Sequence, residues 1–221
     1  MNILIVGASR GLGLEFVHQY RAAGAKVTAT ARDDTALASL RELGATALAL
    51  DVANAESASR LAWQIDGAAF DVVVLCAGVY GPKTNDLTPP TEADFDTVMR
   101  TNVLGAMRVI PQLTDALAPG AKLAVISSRM GSIGSRGSPS GWLYRASKAA
   151  VNSVLVDASL ALSGQAICVA FHPGWVRTDM GGAGADLAPE DSVNDLRRVI
   201  AGLTRADNGR FLNHDGSAIV W

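Results

Sequence analysis

The chain has 221 residues, 49% of them hydrophobic, with 19 Lys and Arg against 21 Asp and Glu and a formal net charge of −2. A chain of this length fits one large α/β domain, and such a domain buries roughly 70–75% of its unfolded surface, so the core needs no covalent staple. Dispersed, nearly balanced charge leaves no electrostatic footprint for nucleic acid, and no apolar run reaches the ~18 residues of a membrane span. Three scattered histidines and no C-x-x-C leave no structural metal site. Cys76 and Cys168 both lie in apolar runs and read as reduced core residues. The first strand begins by residue 2, which leaves no room for a targeting segment. A cytoplasmic location is the default expectation.

Along the chain, short apolar runs alternate with helical patterns. "NILIV" (2–6), "KVTAT" (26–30), "ATALAL" (45–50), "DVVVLC" (71–76), "KLAVIS" (122–127) and "AICVAF" (166–171) read as strands, and "SAIVW" (217–221) as a seventh. Most are rich in β-branched residues and apolar at both alternating positions, the pattern of parallel strands covered on two faces. Helices are predicted over 12–23, 34–43, 54–65, 92–117 (bent or broken), 142–163 and 189–203. Strict alternation predicts a Rossmann-type doubly wound parallel sheet flanked by helices, in a single domain spanning 1–221. "GSIGSRGSPSG" (131–141) and "GGAGADLAP" (181–189) are loops, and a short substrate loop is expected around 178–190.

Where the first strand meets the first helix the chain reads Gly7-Ala8-Ser9-Arg10-Gly11-Leu12-Gly13. An ordinary strand-to-helix turn explains one glycine. A phosphate-binding turn explains all three: a tight bend, close backbone approach to a pyrophosphate, and close helix–strand packing. The helix N-terminus then presents free N–H groups to the anion. An NAD site usually carries an acid near the end of the second strand to bond the ribose 2′-hydroxyl. Here that end reads Thr30-Ala31-Arg32, with no acid until Asp33. Arg32, together with Arg10 in the glycine turn, suits a 2′-phosphate, which guanidinium matches in geometry. NADP(H) is therefore expected to be preferred, with NAD(H) as the other option. The plain alternative is two solvent-facing arginines.

These residues and six further stretches resemble the short-chain dehydrogenase/reductase family nearly end to end. The stretches are "DV" (51–52), "CAG" (76–78), "TNVLG" (101–105), "ISS" (126–128), "YRASK" (144–148) and "HPGWVRTDM" (172–180). The short length, "PGWVRTDMGG" and Trp221 look like the subgroup of C-factor-like proteins and sniffer-type carbonyl reductases. The resemblance implies catalytic roles for Ser128, Tyr144, Lys148 and Asn102: a hydrogen bond to the substrate oxygen, a proton donor, its activator, and the holder of a relay water. It implies cofactor contacts at the glycine turn, at Asp51 and Val52 beside the adenine, and at Ala77 and Gly78. It also implies them at Tyr144 and Lys148, and at Pro173, Gly174, Val176 and Thr178 near the nicotinamide. Tyr80, Trp142, Trp175 and Met180 border these motifs and are candidates for a substrate pocket. The alternative for them is simple packing. His172 reads as a turn residue, and Arg129 as solvent-facing or loop-fixing.

Three departures stand out. Cys76 replaces the family's usual asparagine, whose amide bonds the sheet backbone, and this puts local rigidity in question. Val6 replaces a usual threonine. Tyr144 follows Ser128 by sixteen positions, a wider gap than usual, with the extra residues in 131–141.

The chemistry wants these residue types. A free phenol with pKa ~10 is a poor acid/base at neutral pH. A cation about 4 Å away at an effective dielectric near 20 is worth roughly 4 kcal/mol, or up to about three pKa units. Tyr144 and Lys148 are four apart, on one helix face, so Lys148, helped by the oxidised nicotinamide, is expected to bring Tyr144 towards neutrality. The expected function is an NADPH-dependent reductase of a small or medium carbonyl compound. An NAD-dependent alcohol dehydrogenase and a dinucleotide-sensing or signalling protein of C-factor type are the alternatives, since fold does not fix function. The expected partners are a small-molecule carbonyl or alcohol substrate and a second copy of the chain, as homodimer or homotetramer. Neither a membrane nor nucleic acid is expected.

Overall fold

Six of the seven predicted strands form where the apolar runs place them. A computed structural model describes all 221 residues. In chain order the elements are β1 (Asn2–Val6), α1 (Gly11–Ala22), β2 (Lys26–Ala31), α2 (Asp34–Glu42), β3 (Thr46–Ala49), α3 (Ala55–Ser59), α4 (Leu61–Gln64) and β4 (Phe70–Leu75). There follow α5 (Glu92–Met99), a π-helical turn (Arg100–Leu104), α6 (Gly105–Gln112), β5 (Leu117–Ile126), α7 (Trp142–Ala161), β6 (Ala166–His172), α8 (Pro189–Gly202) and β7 (Arg210–Asn213). The strands make one sheet in the order β3-β2-β1-β4-β5-β6-β7, with every neighbouring pair parallel. No helix is long and apolar enough to cross a membrane.

Both faces of the sheet are covered, which is why its central strands carry apolar residues on both alternating positions. Ile3 and Ile5 of β1 and Val72 and Val74 of β4 join the core built with α1, α2 and α8. Leu4, Val6, Val73 and Leu75, pointing the other way, join the core built with α6 and α7. The strand order reverses between β1 and β4, so the carboxyl ends of these two strands bound a crevice, the usual ligand position of a doubly wound sheet.

Four boundaries differ from the sequence reading. Residues 217–221 are not the seventh strand of the sheet. β7 is the short run Arg210–Asn213, and the turn at Asn213–Gly216 sends the chain back beside it, with Ile219 N–H donating to Phe211 O at 2.8 Å and one antiparallel bridge between Leu212 and Ala218. The 92–117 helix is interrupted by the π turn and ends near Pro111. β5 starts at Leu117, ahead of the expected 122, because Leu117 pairs with Phe70 across a register shift. The 54–65 helix breaks at Arg60 into α3 and α4.

Candidate active site

The glycine turn is built for close backbone approach. Gly7 has φ +86°, and a Cβ there would stand 2.8 Å from the backbone of Ala77. At Gly13 a Cβ would run into the Gly7 carbonyl oxygen. Thr30 at the end of β2 ties the turn down, accepting from Gly7 N–H at 3.0 Å through Oγ1 and from Ala8 N–H at 2.8 Å through its carbonyl. α2, α3 and α5 begin with side-chain caps from Asp33, Asn54 and Thr91. α1 begins at Arg10 with no side-chain cap and no acidic residue in its first turn, so its N–H groups stay available to an anion.

A cleft runs from this turn across the carboxyl ends of the strands. Ser9, Arg10, Gly11, Leu12 and Gly13 line it after β1, Arg32 after β2, Asp51 and Val52 after β3, and Ala77 and Gly78 after β4. Tyr144, Lys148, Pro173 and Thr178 line its far end. A dinucleotide fits this donor set: a glycine cradle without side chains, an uncapped helix N-terminus, and two arginines at one end. Gly174 and Val176 do not line the cleft. Val176 is buried and bridges to Leu187, and a side chain at Gly174 would run into Leu187. Their part is to shape the turn whose Pro173 carbonyl accepts from buried Ser192 of α8 at 2.6 Å. Residues that motif reading passed over also line the cleft, namely Thr30, Leu50, Cys76, Val79, Thr101 and Asp179. All but Asp179 sit at or just past a strand end or in the π turn, a position that the strand predictions could have flagged.

Cys76 and Val6 do not loosen the crevice. The amides of Cys76 and Ala77 both donate to Val6 O, at 2.9 and 3.0 Å, so the ends of β1 and β4 are joined by backbone without a side-chain amide at 76.

The proposed catalytic residues gather beside Lys148. Asn102 sits in the π turn, buried, and its side chain is engaged on three sides: Oδ1 accepts from Val79 N–H at 2.8 Å, while Nδ2 donates to Val79 O at 2.8 Å and Ser147 Oγ at 2.9 Å. It thus clamps the loop after β4 to α7. Lys148 Nζ donates to Ile126 O at 2.9 Å and stands 5.6 Å from the centre of the Tyr144 ring. Ser128 follows β5 and stands beside the Tyr144 phenol, within reach of a hydrogen bond, while its neighbour Ser127 lines the cleft. Tyr80 stacks on Tyr144 with ring centres 4.4 Å apart, and Met180 Sδ lies 3.9 Å from the phenol oxygen. Of the four substrate-pocket candidates, Tyr80 and Met180 therefore touch Tyr144. Trp175 is exposed and donates to Gly181 O at 2.9 Å, bracing its own loop, and neither it nor Trp142 lines the cleft.

The long connection between Ser128 and Tyr144 is fastened at both ends. Fully buried Ser132 donates to Val220 O at 2.5 Å, Gly134 N–H donates to Trp221 O at 2.9 Å, and Gly141 N–H donates to Thr84 O at 2.8 Å.

A family model described as short chain dehydrogenase matches residues 1–186. The chain belongs to the short-chain dehydrogenase family. It is an NAD(P)-dependent oxidoreductase of that family. C-signal of Myxococcus xanthus is 38% identical over 154 residues, covering 68% of this chain and 92% of that one. The 1-hydroxy-2-glutathionyl-2-methyl-3-butene dehydrogenase of Rhodococcus sp. (strain AD45) is 33% identical over 231 residues, covering 100% and 99%. Among solved structures, a short-chain dehydrogenase/reductase from Burkholderia multivorans with bound NADP superposes with TM-score 0.90 at 31% identity, covering 100% of this chain and 99% of that one. The carbonyl reductase Sniffer of D. melanogaster gives TM-score 0.90 at 27% identity with the same coverage.

In this short-chain dehydrogenase, burial rules the electrostatics of the quartet. Desolvation pushes the Tyr144 phenol above its usual 10.0, the Ser128 hydrogen bond opposing and Tyr80 adding to it. The expected lowering by Lys148 is not seen in the chain by itself, because Lys148 is desolvated too, down to about 8, and turns its Nζ to Ile126 O. Cys76 is pushed up to about 12 by burial, against the pull of Lys148, so it stays a neutral thiol. His172 is held down at about 4 by burial, with Arg129 and His214 adding, which leaves it neutral and structural. A folded-state pKa below the unfolded 10.5 means that the buried Lys148 cation costs stability at neutral pH, a cost relieved as the group loses its proton. The stability of the chain relative to a Lys148→Met variant should therefore rise as pH climbs from about 8 to 10.5 and be flat below 8. Urea midpoints of both proteins across that range test this; a pH-independent difference would show that Lys148 keeps its ordinary pKa.

Proposed function

We propose that this short-chain dehydrogenase is an NADPH-dependent carbonyl reductase acting on a small or medium carbonyl substrate. The observation that carries the reading is the meeting of Tyr144 and Lys148 at the end of the cleft away from the two arginines, with Ser128 beside the phenol. Nicotinamide supplies the hydride. Ser128 Oγ polarises and orients the carbonyl. The Tyr144 phenol gives its proton to the alkoxide oxygen formed when hydride reaches carbon. A buried phenol held protonated is the form that has a proton to give. The Lys148 cation offsets the phenolate left behind. Both Nδ2 protons of Asn102 are committed, so its side chain has no donor left for a relay water and only one free lone pair on Oδ1. A cavity of ≈ 10 Å³ lined by Asn102, Thr101 and Lys148 is at the lower limit for one water.

Preference for NADPH rests on Arg10 and Arg32 lining the cleft, on Arg32 forming no ion pair, and on Ala31 standing where an acid would bond a 2′-hydroxyl. The Burkholderia relative with bound NADP agrees with it. Assembly as a homodimer or homotetramer is supported by Leu104 and Met107 on one helix and Leu160 on another, all exposed. Light scattering on the purified protein should give a multiple of 22.9 kDa, and a 22.9 kDa particle at micromolar concentration would count against it.

Two experiments bear on the chemistry. Tyr144→Phe keeps the ring and its stacking, so NADPH binding should survive while carbonyl reduction falls roughly 10²–10⁴-fold; near-normal turnover would turn the reading towards signalling, which the likeness to C-signal supplies. NADPH should bind more tightly than NADH, and Arg32→Asp should shrink or reverse that preference when both are followed by nicotinamide fluorescence. Equal affinities in the unaltered protein would favour the NAD-dependent alcohol dehydrogenase reading.

A further inference from the structure

Three consecutive residues bridge the two ends of the cleft. The Thr178 methyl group stands 3.5 Å from where a Cβ on Gly11 would lie, against the glycine turn. Asp179 Oδ2 accepts from Arg10 Nη1 at 2.8 Å. Met180 Sδ lies 3.9 Å from the Tyr144 hydroxyl. The segment thus holds the arginine assigned to the 2′-phosphate on one side and covers the proton donor on the other, and all three residues line the cleft.

The Arg10–Asp179 pair joins residues 169 apart in sequence, and its side chains are 68% and 75% exposed. An ion pair so open to water is weak and exchangeable. A phosphate monoester carries more negative charge than a carboxylate and offers a guanidinium a two-pronged match. A ribose 2′-hydroxyl offers neither. Arg32, at the same cleft, has no such competitor.

We propose that Asp179 is a specificity-determining residue: it competes with the coenzyme's 2′-phosphate for Arg10, so that NADPH, and not NADH, takes Arg10 from it and frees the Thr178–Met180 segment from Tyr144. The inference rests on the reading of Arg10 as a phosphate ligand. Part of the phosphate's attraction for Arg10 is used in displacing Asp179, and that part sets how strongly the protein prefers the phosphorylated coenzyme.

The test is coenzyme binding, measured by fluorescence titration with NADPH and with NADH on four proteins: the natural chain, Asp179→Asn, Arg10→Met and the double variant. Asp179→Asn should tighten NADPH about 1.5- to 5-fold, the span of an exposed ion pair converted to affinity, and leave NADH unchanged. Arg10→Met should weaken NADPH relative to NADH, and in that background Asp179→Asn should have no effect on either. Weaker NADPH binding by Asp179→Asn would mean that the acid positions Arg10 for the phosphate, and an equal shift for both coenzymes would mean that the pair merely closes the cleft; either overturns the proposal while leaving the phosphate reading intact. An Arg10→Met protein with an unchanged NADPH-to-NADH ratio would overturn both.

Discussion

The site depends on one crossing of backbones. Gly7 passes so near Ala77 that a side chain at Gly7 has no room, and the Val6 carbonyl takes the amides of both Cys76 and Ala77. That contact joins the ends of β1 and β4 at the point where the sheet's order reverses. It sets the floor of the cleft and, through Thr30, the pitch at which α1 departs. A side chain at Gly7 or Gly13 would push the turn away from β4, and the helix terminus would no longer point into the cleft.

On this floor the opposite ends of the cleft run on opposite electrostatics. The arginine end is wet and its charges are mobile, so each contact there is weak and can be traded. The tyrosine end is dry. Burial that raises a phenol and lowers an ammonium works against both charges at once, so the resting pair is a neutral acid beside a cation that is easily discharged. Asn102 makes this tolerable by fixing α7 to the loop after β4 through three hydrogen bonds. Lys148 and Tyr144 project from that helix and inherit its position.

The parts of the fold written in local periodicity were legible. β1, β4 and β6 are mainly apolar runs, β2 is rich in β-branched residues, and α1, α7 and α8 begin within a residue or so of where sequence pattern puts them. β7 was not, since "RFLN" has two apolar residues and owes its place to pairing with β6 and to the returning "SAIVW", which Asn213–Gly216 turns back beside it. In the site, the glycine turn and the Tyr144–Lys148 pair could each be picked out from spacing along one element, whereas Ser128, on a different element, entered only through the family resemblance. Asp179 was invisible: its partner is Arg10, at the other end of the chain, and no pattern in "RTDM" points there. The Tyr144 phenol also ran against expectation, because a pairwise estimate with Lys148 omits the desolvation of both partners.

The clasp between residues 132–134 and 220–221 also bears on how the molecule is put together. Ser128 and Tyr144 are linked by a connection with no helix or sheet of its own for most of its length, and what steadies it comes from 88 residues further along, at Val220. Trp221, stacked at 5.3 Å on Phe211 of the outermost strand, is held there in turn. The spacing of Ser128 and Tyr144, the residues proposed for catalysis, is thus tied to a stretch of chain that lies beyond the last strand of the sheet, so that a change at Val220 or Trp221 reaches the site through residues 132–134.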